Sequence, residues 1–217
     1  MEPGHSLGRI HVVDDDPSFA KAIERRLTQV GYTVTTYATA LHLLDRLPTG
    51  DEPGCIVLDV HMPGLDGPAV QMRLRELGVA LPIIFLSGRA DTPTVVQTLK
   101  AGAHDFLNKP VQSEELLRAL EKALAHQQAL RDQQSALDGI RARLATLTPR
   151  ERQVFELVVR GKLNKQIGHT LGATERTIKA HRHMVIKKMQ VQSLAELVSL
   201  AERIGFLNDR NRDEPAS

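Results

Sequence analysis

At 217 residues the chain is too long for one small domain and suits two compact units with a connector. It contains no run of 18 apolar residues, and its start, "MEPGHSLGR", lacks the cationic-then-apolar order of a secretory signal; the expectation is a soluble, cytoplasmic protein with no membrane partner. The single Cys55 excludes an intramolecular disulfide framework, and the net charge of +2 hides a split, with 12 Lys and Arg against 16 Asp and Glu in residues 1–125 but 13 against 8 in residues 148–217, so the two halves are expected to meet different partners.

In chain order, the first half alternates short β-branched runs with amphipathic helical stretches. "RIHVVD", "YTVTTY", "GCIVLDV", "PIIFLS" and "HDFLNKP" read as strands. Between them, Phe19, Ile23 and Leu27, then Leu41, Leu44 and Leu47, then Val70, Leu74 and Leu77 recur at helical spacing. Strands separated by helices imply βαβ units and a parallel sheet covered on both faces, a doubly wound α/β fold. Cys55 lies within one of the apolar runs and is expected to be a packing residue rather than a reactive thiol.

Ligands of such a sheet bind beyond the carboxyl ends of its strands, and here each end carries a polar group. Asp14 and Asp15 end the first, Asp59 the third, Ser87 the fourth and Lys109 the fifth. Carboxylates gathered on one edge repel one another unless a cation is present, and an all-oxygen set suits a hard ion such as Mg²⁺ (or Mn²⁺). Asp59 ends the central strand and precedes "VHMPGLDG", a loop able to present the backbone carbonyl of His61 to the same ion. With the metal neutralising its neighbours, Asp59 can act as nucleophile toward a phosphoryl group whose oxygens the metal and Lys109 stabilise. Asp16, followed by Pro17, has the position of an N-cap.

These motifs, "VVDDD", "CIVLDVHMPGLDG", "IIFLSG" and "AGAHDFLNKP", resemble the receiver domain of two-component response regulators, over roughly residues 8–125. The resemblance implies a flavodoxin-like (βα)5 fold in which a sensor histidine kinase phosphorylates Asp59. It also implies that Asp14 and Asp15 bind the metal, that Ser87 and Lys109 hold the phosphoryl oxygens, with Lys109-Pro110 cis, and that Phe106 moves inward when Ser87 turns. His61 and Arg89 are expected to tune the lifetime of the acyl phosphate.

From Ser113, the expected cap, a long helical stretch runs to about residue 147, with Leu130, Leu137 and Leu144 seven residues apart and Leu120, Gln127, Gln134 and Arg141 between them. Residues 126–147 read as a linker, either a dimeric seam or a solvated spacer. "TPRE" then marks a helix start, with Thr148 as N-cap, Pro149 at the first position and Glu151 completing a capping box. A turn at Gly161, a short helix to Leu171, a tight turn at Gly172 and Ala173 and a longer helix capped by Thr174 make a helix-turn-helix. Its longer helix buries Ile178, Val185 and Met189 and displays Arg176, Lys179, Arg182, His183 and Lys187, a cationic face suited to the major groove. His181 and His183, two residues apart, diverge and make no metal site.

The segment "LTPRERQVFELVVRGKLNKQIGHTLGATERTIKAHRHMVIKKM" resembles the LuxR-type helix-turn-helix found behind receivers in the FixJ/NarL class. The resemblance implies a four-helix DNA-binding domain over residues 148–210. Lys179, Ala180 and His183 would face bases, and Asn164, Lys165, Thr177, Arg182 and Lys187 would serve phosphates of double-stranded promoter DNA. The last helix would pair two copies over inverted half-sites, with RNA polymerase as a further partner. Leu163 stands where relatives often have serine or threonine, so the cap is expected to shift to Asn164 or be lost. Gly168 replaces a small helix-favouring residue, and His183 stands where some relatives have lysine. The reading is therefore a phosphorylation-controlled, dimerising transcription regulator and not an enzyme. The alternatives are a phosphorylation-independent DNA-binding regulator and an aspartyl-phosphate hydrolase, which would want a carboxylate where His61 stands.

Overall fold

A computed structural model of the chain describes residues 7–47, 53–88 and 92–207. It divides into two compact units, residues 1–130 and 131–217. In the first, five strands, β1 (Arg9–Val13), β2 (Thr33–Tyr37), β3 (Gly54–Asp59), β4 (Ile83–Ser87) and β5 (Asp105–Asn108), alternate with α1 (Pro17–Val30), α2 (Ala40–Asp45), α3 (Gly67–Glu76), α4 (Thr92–Lys100) and α5 (Ser113–Ala145). The sheet order is β2-β1-β3-β4-β5, and every pairing is parallel. All six residues of β3 and all five of β4 are buried, as strands covered on both faces must be. Separate apolar clusters fill the two faces, one joining Ile10, Val12, Val57 and Leu86 to Ile23, Leu27, Leu116 and Leu120, the other joining Val13, Leu58 and Phe85 to Leu43, Val70 and Leu74. Cys55 packs fully buried within the first cluster, and burial pushes its thiol pKa far up.

Two helical stripes differ from the periodicity. The buried side of α2 is Ala40 and Leu43, while Leu41 faces solvent. Thr39 caps this six-residue helix by accepting from the His42 N–H at 3.2 Å, and Ala40 and Leu43 are the residues that pack into the core. Leu77 is the C-cap of α3 and is exposed, so the stripe there ends with Val70 and Leu74. Ser113 is already the first residue of α5 rather than its cap.

The second unit holds α6 (Pro149–Val159), α7 (Asn164–Leu171), α8 (Glu175–Met189) and α9 (Leu194–Arg203). The capping box at Thr148 and Glu151 is present in both directions. Its core combines Val154, Phe155, Ile167, Ile178, Val185, Met189 and Leu197 with Ile140, Leu144 and Leu147 from the end of α5 and just beyond. At the other end of the linker segment, Gln127 is buried and its side-chain carbonyl accepts from the Gly54 N–H at 2.8 Å. The two interleaved seven-residue seams, one through Leu120 and Gln127 and the other through Leu130 and Leu144, thus mix contacts from two cores. Leu120 packs in the first and Leu144 in the second, while Leu130 between them is exposed. No helix among the described residues is long and apolar enough to cross a membrane.

Candidate functional site

The parallel register delivers the strand ends to one edge of the sheet. Val13 pairs with Leu58 and Asp59 with Leu86, so Asp14 and Asp59 leave adjacent strands at the same level. One ligand oxygen from each of Asp14, Asp15 and Asp59 can be chosen so that all lie within 4.8 Å of one another, with Asp14 and Asp59 buried and Asp15 exposed. Lys109, the residue after β5, enters the cluster with its Nζ 2.6 Å from Asp14 Oδ2 and 2.9 Å from Asp59 Oδ2. The Lys109-Pro110 peptide is cis, as expected, and the Lys109 N–H donates to the Ser87 carbonyl at 2.8 Å. An all-oxygen cluster of this size fits a hard divalent cation.

The remaining bonds show how the three neighbouring aspartates divide their work. Asp14 Oδ1 accepts from the Asp16 N–H at 3.0 Å, while Asp16 Oδ1 accepts from the Ser18 and Phe19 N–H groups at 2.9 and 3.2 Å and caps α1. Burial pushes the Asp14 carboxyl above the usual carboxylate range, against the opposing pull of Lys109 and the Asp16 N–H. Burial also disfavours the Lys109 ammonium, but its bonds to Asp14 and Asp59 outweigh that and hold its pKa above the ordinary value. Each charge is tolerable because the other is there.

Asp59 Oδ1 accepts from the His61 N–H at 3.3 Å, which ties the loop backbone to the carboxylate. Gly67 closes that loop, donating to the Val60 carbonyl at 2.9 Å. A Cβ on Gly67 would lie 2.7 Å from the Phe85 ring and 2.9 Å from the Asp59 carbonyl, so the close approach requires glycine. Ser87 is buried at the end of β4. Phe106 is half-buried, its ring centroid 6.4 Å from that of Phe85. Arg89 lies outside the described residues. One neighbour escaped the sequence reading: the Phe19 ring lies under the Lys109 ammonium, 4.4 Å from centroid to Nζ. Phe19 belongs to the apolar stripe of α1, and nothing in helical spacing signals a partner 90 residues away.

In the second unit, Arg176, Thr177, Lys179, Ala180, His183 and Lys187 are all exposed on α8, and Lys165 is exposed on α7. Ile178, Val185 and Met189 are buried on the opposite side. Asn164 and Arg182 are half-buried and bond each other, Nη1 to Oδ1 at 2.7 Å. Asn164 therefore serves Arg182 rather than the helix end. The N-cap position of α7 is Leu163, whose side chain caps nothing; Gln166 Oε1 reaches back to the Leu163 N–H at 2.9 Å instead. Gly168 also has a geometric reason, since a Cβ there would sit 2.6 Å from the Ala173 carbonyl in the turn. The turn is further tied down by Arg150, whose guanidinium donates to the Leu171 carbonyl.

Comparison with known proteins agrees with both units. Residues 10–121 match the response regulator receiver domain, and residues 145–201 match the luxR family of bacterial regulatory proteins. The transcriptional regulatory protein FixJ of Bradyrhizobium diazoefficiens is 40% identical over 202 residues, spanning 93% of this chain and 98% of that protein. The response regulator protein TodT of Pseudomonas putida is 38% identical over 195 residues, 90% of this chain and 86% of that protein. Among solved structures, the response regulator StyR matches with a TM-score of 0.81 at 38% identity, over 90% of this chain and 98% of that one. Full-length FixJ from B. japonicum matches with a TM-score of 0.58 at 39% identity, over 94% and 100%. A receiver implies a histidine kinase as partner and a LuxR-type helix-turn-helix implies DNA. The chain belongs to the two-component response regulators with a LuxR-type DNA-binding domain, similar to FixJ and TodT, and is a transcription regulator rather than an enzyme.

Proposed function

We propose that this is a cytoplasmic protein in which Asp59 is the phosphoacceptor, and that its phosphorylation by a cognate sensor histidine kinase controls pairing and promoter binding. The observation that carries this reading is the Lys109 ammonium bridging Asp14 and Asp59 at 2.6 and 2.9 Å beside a third carboxylate. Asp14, Asp15, Asp59 and the His61 backbone carbonyl would hold Mg²⁺ (or Mn²⁺), which when bound supplies positive charge against the carboxylates and the transferring oxygens. An Asp59 oxygen attacks the phosphorus of a phosphohistidine; the new O–P bond forms as the P–N bond breaks, and the imidazole leaves with the electron pair. Lys109 pairs with one phosphoryl oxygen and the Ser87 hydroxyl donates to another. Phe106 then packs into the space Ser87 vacates.

In this reading the receiver spans 8–125, the helical connector 126–147 and the DNA-binding domain 148–210. Two activated copies pair on a promoter with inverted half-sites and present it to RNA polymerase. Lys179, Ala180 and His183 read bases, Asn164, Lys165, Thr177, Arg182 and Lys187 position the backbone, and Arg176 adds to the cationic face turned toward DNA.

The test is phosphoryl transfer from a phosphorylated kinase or a small phosphodonor to wild type and Asp59→Asn. Labelling of wild type alone supports the assignment; equal labelling sinks it. Operator affinity that ignores the phosphodonor would instead favour a receiver that serves only as a pairing module.

A further inference from the structure

Lys187 and Lys188 are adjacent in sequence but point about 100° apart on a helix. Lys187 is exposed on the cationic face of α8, whereas the Lys188 side chain is only 27% exposed. The Lys188 ammonium lies 2.6 Å from Glu151 Oε2 and donates to the Thr146 carbonyl at 3.2 Å. Glu151 is 5% exposed, and the same Oε2 accepts from the Thr148 N–H at 2.8 Å, so one carboxylate oxygen serves both the α6 cap and Lys188. Those two bonds hold the Glu151 carboxyl below the usual carboxylate range. Thr146 follows directly on α5, and its hydroxyl donates to the Arg143 carbonyl at 2.7 Å. One turn along, Arg143 Nη1 reaches Gln190 Oε1 at 3.4 Å. Gln190 is the left-handed C-cap of α8 and the one non-glycine residue with positive φ among the described residues. The end of α8 is thus fastened to the end of α5 at two points, with the α6 cap between them.

We infer that Lys188 is a positioning residue for DNA binding, fixing the orientation of α8 through Glu151 and Thr146 instead of contacting a phosphate. Two of its three donors are already used inside the domain, and a lysine held this way cannot release counterions from DNA. Lys187, with its ammonium in solvent, can. The inference rests on the reading of α8 as the helix that enters the groove.

The experiment uses the full-length phosphorylated protein and two duplexes, the one the wild type retains best from a random pool and an unrelated one. For Lys188→Met, affinity for the selected duplex is expected to fall about tenfold or more, while affinity for the unrelated duplex and its salt slope stay at wild-type values. Lys188→Arg, which keeps the charge and the donors, restores most of the loss. Lys187→Ala instead weakens both duplexes and lowers the salt slope by about 0.9 per copy. A fall in the salt slope for Lys188→Met like that of Lys187→Ala overturns the inference, and so does wild-type binding to the selected duplex. Where Lys188→Met fails to fold, Glu151→Gln decides: with Lys188 as a positioning residue, specific affinity drops, and with Lys188 as a phosphate ligand, releasing it from its partner leaves affinity equal or higher. If Lys187→Ala and Lys179→Ala both leave binding and slope unchanged, the reading of α8 itself fails.

Discussion

At the edge of the sheet Lys109 has three partners, two carboxylates and the face of Phe19. During phosphorylation the carboxylate bonds must loosen so that the ammonium can meet the new phosphoryl group; the ring is then the contact that still positions the ammonium, and it counts for more than in the resting site. A cation–π contact contributes about 0.5–1 kcal/mol when partly exposed. Phe19→Leu is therefore expected to slow labelling by a small phosphodonor about two- to fivefold, with Phe19→Tyr close to wild type; unchanged rates in Phe19→Leu would refute a role for the ring. On β1, His11 is buried and hydrogen-bonds the Tyr37 hydroxyl at 3.0 Å. Burial first, and Arg9 second, lower its pKa from 6.5 to about 4. The unfolded chain takes up this proton at higher pH than the folded chain, so the associated stability is full above pH 6.5 and lost as pH falls through about 4. The whole window amounts to about 3 kcal/mol. Tyr32 and Tyr37 are the chain's two tyrosines, there is no tryptophan, and both tyrosines lie in the receiver. Tyrosine fluorescence during urea unfolding at pH 7.5 and pH 4.5 reads this loss directly, and His11→Gln should flatten it.

At the scale of elements, α5 is the instructive case. Its 33 residues read as a receiver helix plus linker, and the burial of Gln127 on one side and of Ile140, Leu144 and Leu147 on the other shows the segment supporting both units. A fragment beginning at residue 148 gives up those three apolar side chains. At about 1.5–3 kcal/mol for each buried Leu or Ile, it should be roughly 5–9 kcal/mol less stable than a fragment beginning at 131, or fail to fold. Equal thermal midpoints for the two fragments would contradict this. Strand identities and the helix caps at Asp16, Thr148 and Thr174 were legible in the sequence because caps and β-branched runs are local signals. The rotation of α2 was less so, since three leucines in four residues leave two stripes possible and only packing against the core chooses between them. The missing cap at Leu163 could be anticipated; the diversion of Asn164 to Arg182 could not.

For the molecule as a whole, the charge split recorded in the sequence corresponds to the family assignment: an acidic receiver matched over residues 10–121 and a basic helix-turn-helix matched over 145–201. If Lys165, Arg182 and Lys187 each meet a phosphate in both copies of a dimer, six cations set the salt dependence. The logarithm of affinity should then fall with the logarithm of salt at a slope of roughly −5, measurable by titration from 50 to 200 mM salt. A slope near −2 or shallower would mean that most of these side chains stay in solvent. The sequence by itself determined the two-unit plan, the parallel sheet and the gathering of Asp14, Asp15, Asp59, Ser87 and Lys109 at one edge, because alternation, caps and strand ends are written in contiguous residues. Only the tertiary structure decided that Phe19 lies under Lys109, that Lys188 turns from the cationic face to Glu151, and that the linker's ends belong to two cores. Each of these is a pairing between residues far apart in the chain, settled by which buried charge or apolar face finds a partner when the elements pack, and no local pattern encodes that choice.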